Sequence, residues 1–328
     1  MTELERAPAR QNIESIAIVI CTFHRPDLLR QCLDSIAALN DPEGVALSIV
    51  VVDNSDGSDA LPLVDAMKGT MPFPLHGVAA HPPNISIARN AGVAAASYAD
   101  VIAFIDDDQR LTRDWLVSVC KGLRELPHDA LLGGVDAEHE RPEIAGPTAR
   151  TLFARDMQSP RGSDIIAMGP KKTKTMALAT NNSIFRREAT LTDVVCFDPA
   201  FGHGGGEDYD LFCRLERRGK RFGWLPEARA VEFVPASRCN PDYIAGRLFA
   251  GGQAFAKVVA KNSDSPLLVR WRHRLIGLAQ LGLLAPTWLM HLNSPPEKRA
   301  EIRFRIASAA GKLSFGDLVP IYRKETRS

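Results

Sequence analysis

The sequence lacks several features that would place it in a familiar class. Its six cysteines form no C-x-x-C pair, and their spacing suits no zinc site. No continuous apolar run reaches the ~18 residues that a membrane-spanning helix requires. The nearest approach, Leu275–Met290, is interrupted by Gln280 and Pro286. No G-x-G-x-x-G follows the first predicted strand, which argues against a nicotinamide dehydrogenase.

The first 14 residues are polar and contain no apolar core of a signal peptide. Cysteines without a disulfide-like spacing suit a reducing compartment. We therefore expect residues 1–14 to be a polar N-terminal tail and the protein to be cytoplasmic.

Charge is nearly balanced overall but unevenly distributed. The net charge of +1 demands no nucleic acid or other polyanionic partner. Residues 270–328 carry eleven Lys and Arg against four Asp and Glu, a local charge of +7, so residues 1–269 carry −6. Two interpretations remain open for this basic region: contact with anionic lipid, or a solvated helical face. Leu275–Met290 likewise either lies in the membrane interface or packs on the rest of the protein.

Apolar runs that predict buried strands alternate with helical patterns in the first half of the chain. The predicted strands are Ile16–Cys21, Leu47–Val52, Val101–Ile105 and Ala130–Val135. Helices are predicted to begin at Pro26, at Ile87 after a Ser86 N-cap, and at Trp115. Strands that alternate with helices predict an α/β fold with a mostly parallel, Rossmann-like sheet flanked by helices.

The second half of the chain has a less regular pattern. Residues 137–175 are rich in Pro, Gly and charge and predict a loop or insertion. A glycine-rich segment, too flexible to be ordered by propensity, precedes a helix that begins at Glu207 and ends at Gly219. Short strands are predicted at Ala177–Thr180, Ser183–Phe185, Phe222–Leu225 and Ala230–Val234. After Pro241 the pattern is helical, with breaks near Pro266 and Pro295.

Polar side chains follow three predicted strands at their carboxyl ends: Thr22, Asp53 and the triplet Asp106–Asp108. In a parallel sheet these ends meet at one edge, where ligands bind. Three clustered carboxylates are costly unless water or a cation neutralises them. Oxygen ligands suit Mg²⁺ or Mn²⁺, which in turn can hold a diphosphate. The alternative is a helix cap at Asp108, since a helix is predicted to start near Asp114.

Four stretches of the sequence, in this order, resemble the family-2 glycosyltransferases, which have the GT-A fold. The stretches are IAIVICTFHRPDLLRQCLDSI, SIVVVDNSD, NISIARNAGVAAASYADVIAFIDDD and GGGEDYDLFCRLERRGKRF. The closest similarity is to bacterial enzymes that build exopolysaccharide repeat units. The resemblance implies a GT-A catalytic domain over residues 15–238, with a nucleotide-binding half (15–136) and an acceptor half (137–238). A basic, helical C-terminal region would follow over residues 239–328, and it either contacts the membrane or packs on the rest of the protein.

The resemblance implies a nucleotide-diphosphate-sugar donor. Thr22 would lie against the nucleoside, Asp53 would accept a hydrogen bond from the base, and Arg89 would lie near the base or a phosphate. Each residue has a simpler interpretation. Thr22 merely ends a strand, Asp53 closes an Asx turn, and Arg89 is a solvated helix arginine.

The resemblance also implies a divalent metal, Mn²⁺ or Mg²⁺. Asp106 and Asp108 match the D-x-D motif of the family. Asp108 would bind the metal, with Asp106 or Asp107 directed towards the ribose. The metal would bridge the diphosphate and stabilise the leaving nucleotide. Where related enzymes often have a histidine, this sequence has Glu232, which is either a second metal ligand or a solvent-facing strand residue.

A second acidic pair, Glu207-Asp208, follows the glycine-rich segment. Asp208 resembles the general base of the family, and Glu207 stands beside it in the catalytic motif. One base opposite a metal-held leaving group implies a single displacement with inversion. The alternative is helix stabilisation, because acidic residues are commonplace in a first helical turn.

The acceptor implied by the resemblance is a saccharide hydroxyl. Processive synthases of the family carry Q-x-x-R-W, whereas here Leu267 precedes Arg270-Trp271 in place of the glutamine. We therefore expect one sugar to be added per acceptor. A lipid-pyrophosphate-linked acceptor would bring the enzyme to the inner face of the plasma membrane as a peripheral protein.

Two other functions remain as alternatives. A sugar-nucleotide pyrophosphorylase would need an early glycine-rich loop with Arg and Lys, but the first loop is CTFHRPD. A catalytically degenerate transferase that serves as an assembly subunit is disfavoured because both carboxylate motifs are intact.

Overall fold

The computed structural model describes residues 13–42 and 44–321. The predicted polar tail, residues 1–14, therefore lies almost entirely outside the described residues. The strands are β1 (Ser15–Thr22), β2 (Ala46–Asp53), β3 (Leu75–Ala79), β4 (Val101–Asp106), β5 (Gln109–Leu111), β6 (Ala130–His139), β7 (Asp164–Ile165), β8 (Ser183–Arg186) and β9 (Phe222–Val234). The helices are α1 (Pro26–Ala37), α2 (Leu61–Met67), α3 (Ile85–Ala95), α4 (Trp115–Glu125), α5 (Pro147–Leu152), α6 (Arg187–Thr190), α7 (Glu207–Arg217), α8 (Pro241–Lys261), α9 (Pro266–Met290) and α10 (Pro296–Leu313).

The strands form one sheet in the order β3-β2-β1-β4-β8-β6-β9-β5, and β7 pairs with β9. β1 runs parallel to β2 and β4, and β2 runs parallel to β3. The pairs β4–β8, β6–β8, β5–β9 and β7–β9 are antiparallel. The α/β class is confirmed, but the sheet is mixed and not mostly parallel as predicted, because β5, β7 and β8 run antiparallel to the strands beside them.

A first compact unit comprises the described part of Met1–Asp136 together with Ala154–Cys196 and Leu215–Glu232. The middle of β1 is fully buried, and α1 packs its predicted stripe into the same core, with Leu29, Leu33 and Ile36 inaccessible to solvent. Burial of each such aliphatic side chain contributes about 1.5–3 kcal/mol. This core fixes where the strands end, and therefore where the polar residues after them lie.

The structure differs from the sequence-based prediction at several places, and α5 and β7 lie within residues 137–175, which were predicted to be a loop or insertion. Asn84, not Ser86, caps α3, since Asn84 Oδ1 accepts the backbone amides of Ser86 (3.0 Å) and Ile87 (3.3 Å). Residues 177–180 are not a strand, because the Ala179 carbonyl is satisfied by side-chain donors from Arg155 and Ser183 and not by a ladder. The two strands predicted over residues 222–234 are one strand, β9.

A second compact unit comprises Ala137–Phe153, Phe197–Arg214 and the described part of Phe233–Ser328. Helices α8, α9 and α10 each carry a proline in the first turn, as the breaks in the sequence predicted. α8 and α10 approach closely at glycines: a Cβ on Gly311 would lie 2.1 Å from the Phe249 carbonyl oxygen. Among the described residues, no helix has both the length and the apolar character to cross a membrane.

Candidate active site

The carboxyl ends of β1, β2 and β4 lie side by side. Thr22 pairs in register with Asp53, and Cys21 pairs with Asp106. The structure therefore brings together the polar residues that the sequence placed at three strand ends. Their individual roles in binding stay predictions.

The acidic triplet bends between two strands. β4 ends at Asp106, and Asp107 and Asp108 form the turn before β5. Asp107 and Asp108 are only 5% and 7% exposed, and buried carboxylates require partners. Thr22 provides one, since its Oγ1 donates to Asp107 Oδ2 at 2.8 Å. Thr22 thus does more than end a strand.

Arg25 is a second partner of the acidic turn, and sequence reasoning missed it. Its Nη1 lies 3.3 Å from Asp108 Oδ2 and 3.5 Å from Asp107 Oδ1. Arg25 immediately precedes α1, in the three-residue connection that follows β1. The sequence did contain a signal for this contact. Arg25 is a cation in the loop after β1, and β1 is the direct neighbour of β4, which ends at the acidic turn.

The three carboxylates Asp106–Asp108 also affect a nearby thiol on α1. The Cys32 thiol on α1 has a pKa well above its ordinary value, chiefly because it is buried and further because Asp107, Asp108 and Asp106 repel a thiolate. Cys32 is fully buried and packs in the core at this edge. The same negative charge favours a cation at the turn.

Asp53 closes a tight turn at the end of β2. Its Oδ1 accepts the backbone amide (2.8 Å) and hydroxyl (2.6 Å) of Ser55, and its Oδ2 accepts the amide of Ala60 (2.6 Å). Asp53 therefore closes an Asx turn, as one of its two interpretations expected. A carboxylate offers about four lone-pair sites, three of which are used here, and Asp53 is fully buried.

The position of Arg89 depends on a chain of hydrogen bonds that begins at Asn54, the residue after Asp53. Asn54 Oδ1 accepts the Asn84 amide at 2.7 Å, and Asn84 in turn caps α3, which carries Arg89. Arg89 is 5% exposed. The interpretation of Arg89 as a solvated helix arginine is therefore wrong.

Glu232 lies beside the acidic turn through strand pairing. Gln109, which follows Asp108, pairs directly opposite Glu232 in the β5–β9 ladder. Glu232 is 7% exposed, and Asn181 Nδ2 lies 3.5 Å from its Oε2. The interpretation of Glu232 as a solvent-facing residue is therefore wrong. Arg155 holds Asn181 in place, donating to its side-chain oxygen at 3.3 Å.

The residues at this edge suit a divalent cation that is completed by a ligand. Within the described residues, no three His, Cys, Asp or Glu side chains form a ready metal cage. Mg²⁺ is usually held by one or two carboxylates plus substrate phosphates, so a full protein cage is not required. Asp108 in the turn, with Glu232 one register position away, fits that kind of partial site.

The second acidic pair begins α7 in the second unit. Gly205 and Gly206 have φ angles of +78° and +102°, which only glycine adopts readily, and they turn the chain into the helix. Glu207 is buried and Asp208 is half-buried. These residues lie in the helical first turn that the sequence predicted.

Asp210 is a third acid in the first turn of α7, and the sequence did not reveal its role. Its Oδ2 accepts from Arg214 Nε and from Lys261 Nζ, both at 3.0 Å, and its Oδ1 accepts from Asn262 Nδ2 at 2.9 Å. Asp210 is fully buried. It fastens α7 to the end of α8, so we assign it a structural role.

The glycine-rich segment before Glu207 is ordered by contacts with residues 314–321, which we call the C-terminal strap. A Cβ on Gly204 would lie 2.3 Å from Leu318 Cβ, and the Ile321 amide donates to the His203 carbonyl at 3.0 Å. Buried Gln253 holds the strap, accepting the Val319 amide at 3.0 Å and donating to Ser314 Oγ at 2.6 Å. Tertiary contacts thus order a segment that propensity would leave flexible.

An α/β sheet with an acidic edge at the ends of its parallel strands is the arrangement expected of the GT-A fold. The sequence model of glycosyl transferase family 2 matches residues 17–191. The chain is 32% identical over 300 residues to the succinoglycan biosynthesis protein ExoM of Rhizobium meliloti strain 1021, covering 91% of this chain and 92% of ExoM. The chain therefore belongs to glycosyl transferase family 2, and it is a glycosyltransferase.

More distant relatives agree with this assignment. The hyaluronan synthase of Pasteurella multocida is 24% identical over 254 residues, which cover 71% of this chain and 26% of the synthase. The mannosyltransferase PcManGT of Pyrobaculum calidifontis, solved with GDP-Man and Mn²⁺, has a TM-score of 0.58 at 19% identity and covers 94% of this chain and 89% of its own. S. aureus TarS, solved with UDP-GlcNAc, has a TM-score of 0.53 at 13% identity, covering 91% and 90%. The two structural likenesses establish the fold.

Proposed function

We propose that this protein is an inverting, metal-dependent glycosyltransferase that moves one sugar from a nucleotide-diphosphate sugar to a hydroxyl of a saccharide acceptor. The observation that carries the proposal is the edge where Thr22, Asp53 and Asp106 lie at neighbouring register positions, with the buried turn Asp107-Asp108 directly after them. The names of ExoM and the hyaluronan synthase support a role in polysaccharide assembly.

The donor is proposed to bind along this edge. Asp53 would use its remaining lone pair for the base, and Arg89 would contact the base or a phosphate. Asp106 or Asp107 would face the ribose. Arg25, already against the acidic turn, is within the loop that would face the diphosphate.

A divalent cation, Mn²⁺ or Mg²⁺, is proposed to bind with the donor at Asp108, with Glu232 as a further ligand. The PcManGT structure contains GDP-Man and Mn²⁺ together, which supports this choice. When bound, the metal would neutralise charge that develops on the departing nucleotide. Thr22 and Arg25 would keep the two turn carboxylates oriented before the donor arrives.

Asp208 is proposed as the general base that takes the proton from the acceptor hydroxyl. Of the three acids in the first turn of α7, Asp210 is committed to Arg214, Lys261 and Asn262. A single base and no covalent nucleophile correspond to one displacement with inversion at the anomeric carbon. Glu207, buried beside Asp208, is the second residue of the proposed catalytic pair.

A lipid-linked acceptor and peripheral contact with the inner face of the plasma membrane complete the proposal. The support is the exposed apolar surface of α9, where Leu267, Leu275 and Leu283 are 76%, 64% and 78% exposed. Such side chains suit the boundary between headgroups and acyl chains. Extraction of washed membranes with salt and with detergent tests this contact, and release into low-salt buffer alone would contradict it.

The catalytic proposal is tested by incubating the protein with a panel of nucleotide sugars and Mn²⁺, with and without saccharide acceptors. We expect released nucleotide and a product with inverted anomeric configuration, seen by NMR. Exchange of pyrophosphate into the donor would instead indicate a pyrophosphorylase. Absence of both turnover and metal-dependent nucleotide binding with every donor would indicate a non-catalytic assembly subunit.

A further inference from the structure

Helix α9 presents its apolar side to solvent and its polar side to the protein. Its buried residues are His273, Arg274 and Gly277. The side chains that are more than half exposed are mostly apolar and include Leu267, Leu268, Trp271, Leu275, Leu278 and Leu283. A helix on the surface of a water-soluble unit normally has the reverse arrangement. The exposed side of α9 therefore suits contact with an apolar phase, and its buried, basic side suits contact with anions.

A cluster of four cations lies behind this apolar surface. Lys257 of α8, Arg270 and Arg274 of α9, and Lys312 of α10 line one small cavity, and its other lining residues carry no charge. Arg274 is held between two aromatic rings, with its guanidinium 3.7 Å from the ring centre of Phe315 and 4.9 Å from that of Trp271. We call these four residues the basic cluster.

The basic cluster lacks a counter-charge among the described residues that line it. Arg274 Nε is buried and has no hydrogen-bond partner in this part of the chain. Burial lowers the pKa of Arg274, and repulsion by Arg270 lowers it further; burial also lowers the pKa of Lys312. An unpaired buried donor amid like charges is costly, so an anion in the cavity would stabilise the arrangement.

We propose that Lys257, Arg270, Arg274 and Lys312 bind the phosphate group of an anionic membrane lipid, while the exposed side chains of α9 enter the acyl layer. The cavity has a volume of about 10 Å³, which admits one phosphate oxygen in the place of one water. The remaining phosphate atoms would sit at its mouth, against the partly exposed Lys257 and Arg270. This inference rests on the membrane contact proposed above and assigns the lipid chemistry that α9 recognises.

A membrane lipid is favoured over free phosphate because the two surfaces share one helix. Arg270 and Arg274 flank Trp271, which is 55% exposed and is a side chain typical of the membrane interface. Leu267 and Leu268 lie just before them on α9. A soluble phosphate would use the cations and leave the exposed leucines without a function.

Vesicle flotation of the full chain tests the proposal. The probes are vesicles of phosphatidylcholine alone and of phosphatidylcholine with phosphatidylglycerol. We expect clear preference for the anionic vesicles, and we expect the double variant Lys257→Gln, Arg270→Gln to weaken anionic binding by roughly 30-fold, since each cation near the surface contributes about a factor of five. Neither residue forms an ion pair among the described residues, so this variant should fold.

The matched control is Lys298→Gln, Arg299→Gln, which removes the same charge from exposed positions of α10 outside the cavity. We expect the control to bind anionic vesicles within about threefold of the unmodified protein, because its exposed charges would contribute only screened, longer-range attraction. An equal loss in both double variants would overturn the site in favour of diffuse electrostatic attraction. Circular dichroism of both variants checks that they are folded.

Three further outcomes are distinguishable. Equal binding to neutral and anionic vesicles that is lost in Leu275→Ser, Leu283→Ser would preserve the membrane contact and overturn the phosphate site. Thermal stabilisation by inorganic phosphate that depends on the basic cluster, without vesicle binding, would mean a free-anion site and overturn the lipid. Failure to bind any vesicle, while a soluble acceptor is still glycosylated, would overturn the membrane contact and leave the transferase intact.

Discussion

Arg25 Nη1 lies 3.3 Å from Asp108 Oδ2, so the D-x-D turn carries an internal cation before any donor binds. The guanidinium also reaches Asp107, whose other oxygen accepts the hydroxyl of Thr22. The loop after β1 and the turn after β4 are thereby joined at the sheet edge. This arrangement holds two buried carboxylates close together, which suits the proposed site for a metal-bound diphosphate.

Removing the positive charge of Arg25 should destabilise the protein and make it more dependent on metal. We expect Arg25→Met to lose about 1–2 kcal/mol of unfolding free energy, because Asp107 and Asp108 lose a partly buried partner. Mn²⁺ should restore more stability to this variant than to the unmodified protein. Thermal unfolding with and without Mn²⁺ measures both effects. Arg25→Lys, which retains the charge, is the control, and identical metal responses in all three proteins would contradict the prediction.

Removing the carboxylate of Asp108 should abolish metal-dependent donor binding. We expect Asp108→Ala to bind the nucleotide sugar equally weakly with and without Mn²⁺, because the proposed metal ligand is lost. Isothermal titration calorimetry gives the two affinities. Asp56→Ala, an exposed acid in the turn after β2, is the matched control and should keep the metal response. An unchanged Mn²⁺-dependent affinity in Asp108→Ala would exclude this residue as a ligand.

Neutralising Asp208 should separate catalysis from binding. We expect Asp208→Asn to lower turnover by roughly 10²–10⁴ with little change in donor affinity, as for loss of a general base. Asp210→Asn should instead lower the unfolding temperature, because Asp210 bonds Arg214, Lys261 and Asn262. Single-turnover kinetics and donor titration distinguish the two. If Asp208→Asn lost donor binding together with turnover, it would belong to the donor or metal site.

The pair Asp198–Lys261 should contribute stability that depends on pH. Burial alone would raise the pKa of Asp198, but the hydrogen bond from Lys261 and the further bond from the Ala200 amide bring the pKa below its ordinary value. A carboxyl with a depressed folded-state pKa stabilises the protein above its unfolded pKa of about 4 and loses this contribution as the pH falls below that value.

Lys261→Met should therefore be less stable than the unmodified protein at neutral pH, with a difference that shrinks in acid. Urea unfolding at several pH values checks this, and Lys257→Met on the same helix is the control. A difference that stays constant down to the acid limit would show that Lys261 does not act through the Asp198 carboxylate.

Filling the space at Gly204 should disturb the C-terminal strap. A Cβ at this position would lie 2.3 Å from Leu318 Cβ, so we expect Gly204→Ala to displace the strap and increase its proteolysis. Turnover should fall because the segment before Glu207 loses its support. Gly246→Ala is the control: a Cβ there meets no neighbour, and in the interior of α8 alanine should stabilise by about 0.5–1 kcal/mol. Equal proteolysis of both variants would contradict the proposed support.

Hydrophobic patterning was a good guide wherever it alone decides the structure. The bounds of β1 and the start of α1 were predicted to within a residue or two, because the apolar residues of each element can be buried in only one way. The N-cap of α3 was misplaced by two residues, since both Ser86 and Asn84 have capping side chains. Which one caps depends on Asn54, a residue far away in the chain that positions the Asn84 amide.

The sequence by itself determined the α/β class, the order of the motifs, and the position of Thr22, Asp53 and Asp106 at strand ends, because these follow from local periodicity and from parallel pairing. Only the tertiary structure decided that Arg25 faces Asp108, that Glu232 is buried opposite Gln109, and that α9 turns its leucines outward. These last relationships join residues far apart in the chain. Nothing in the local sequence specifies them, because they depend on which strands and helices become neighbours when the core closes.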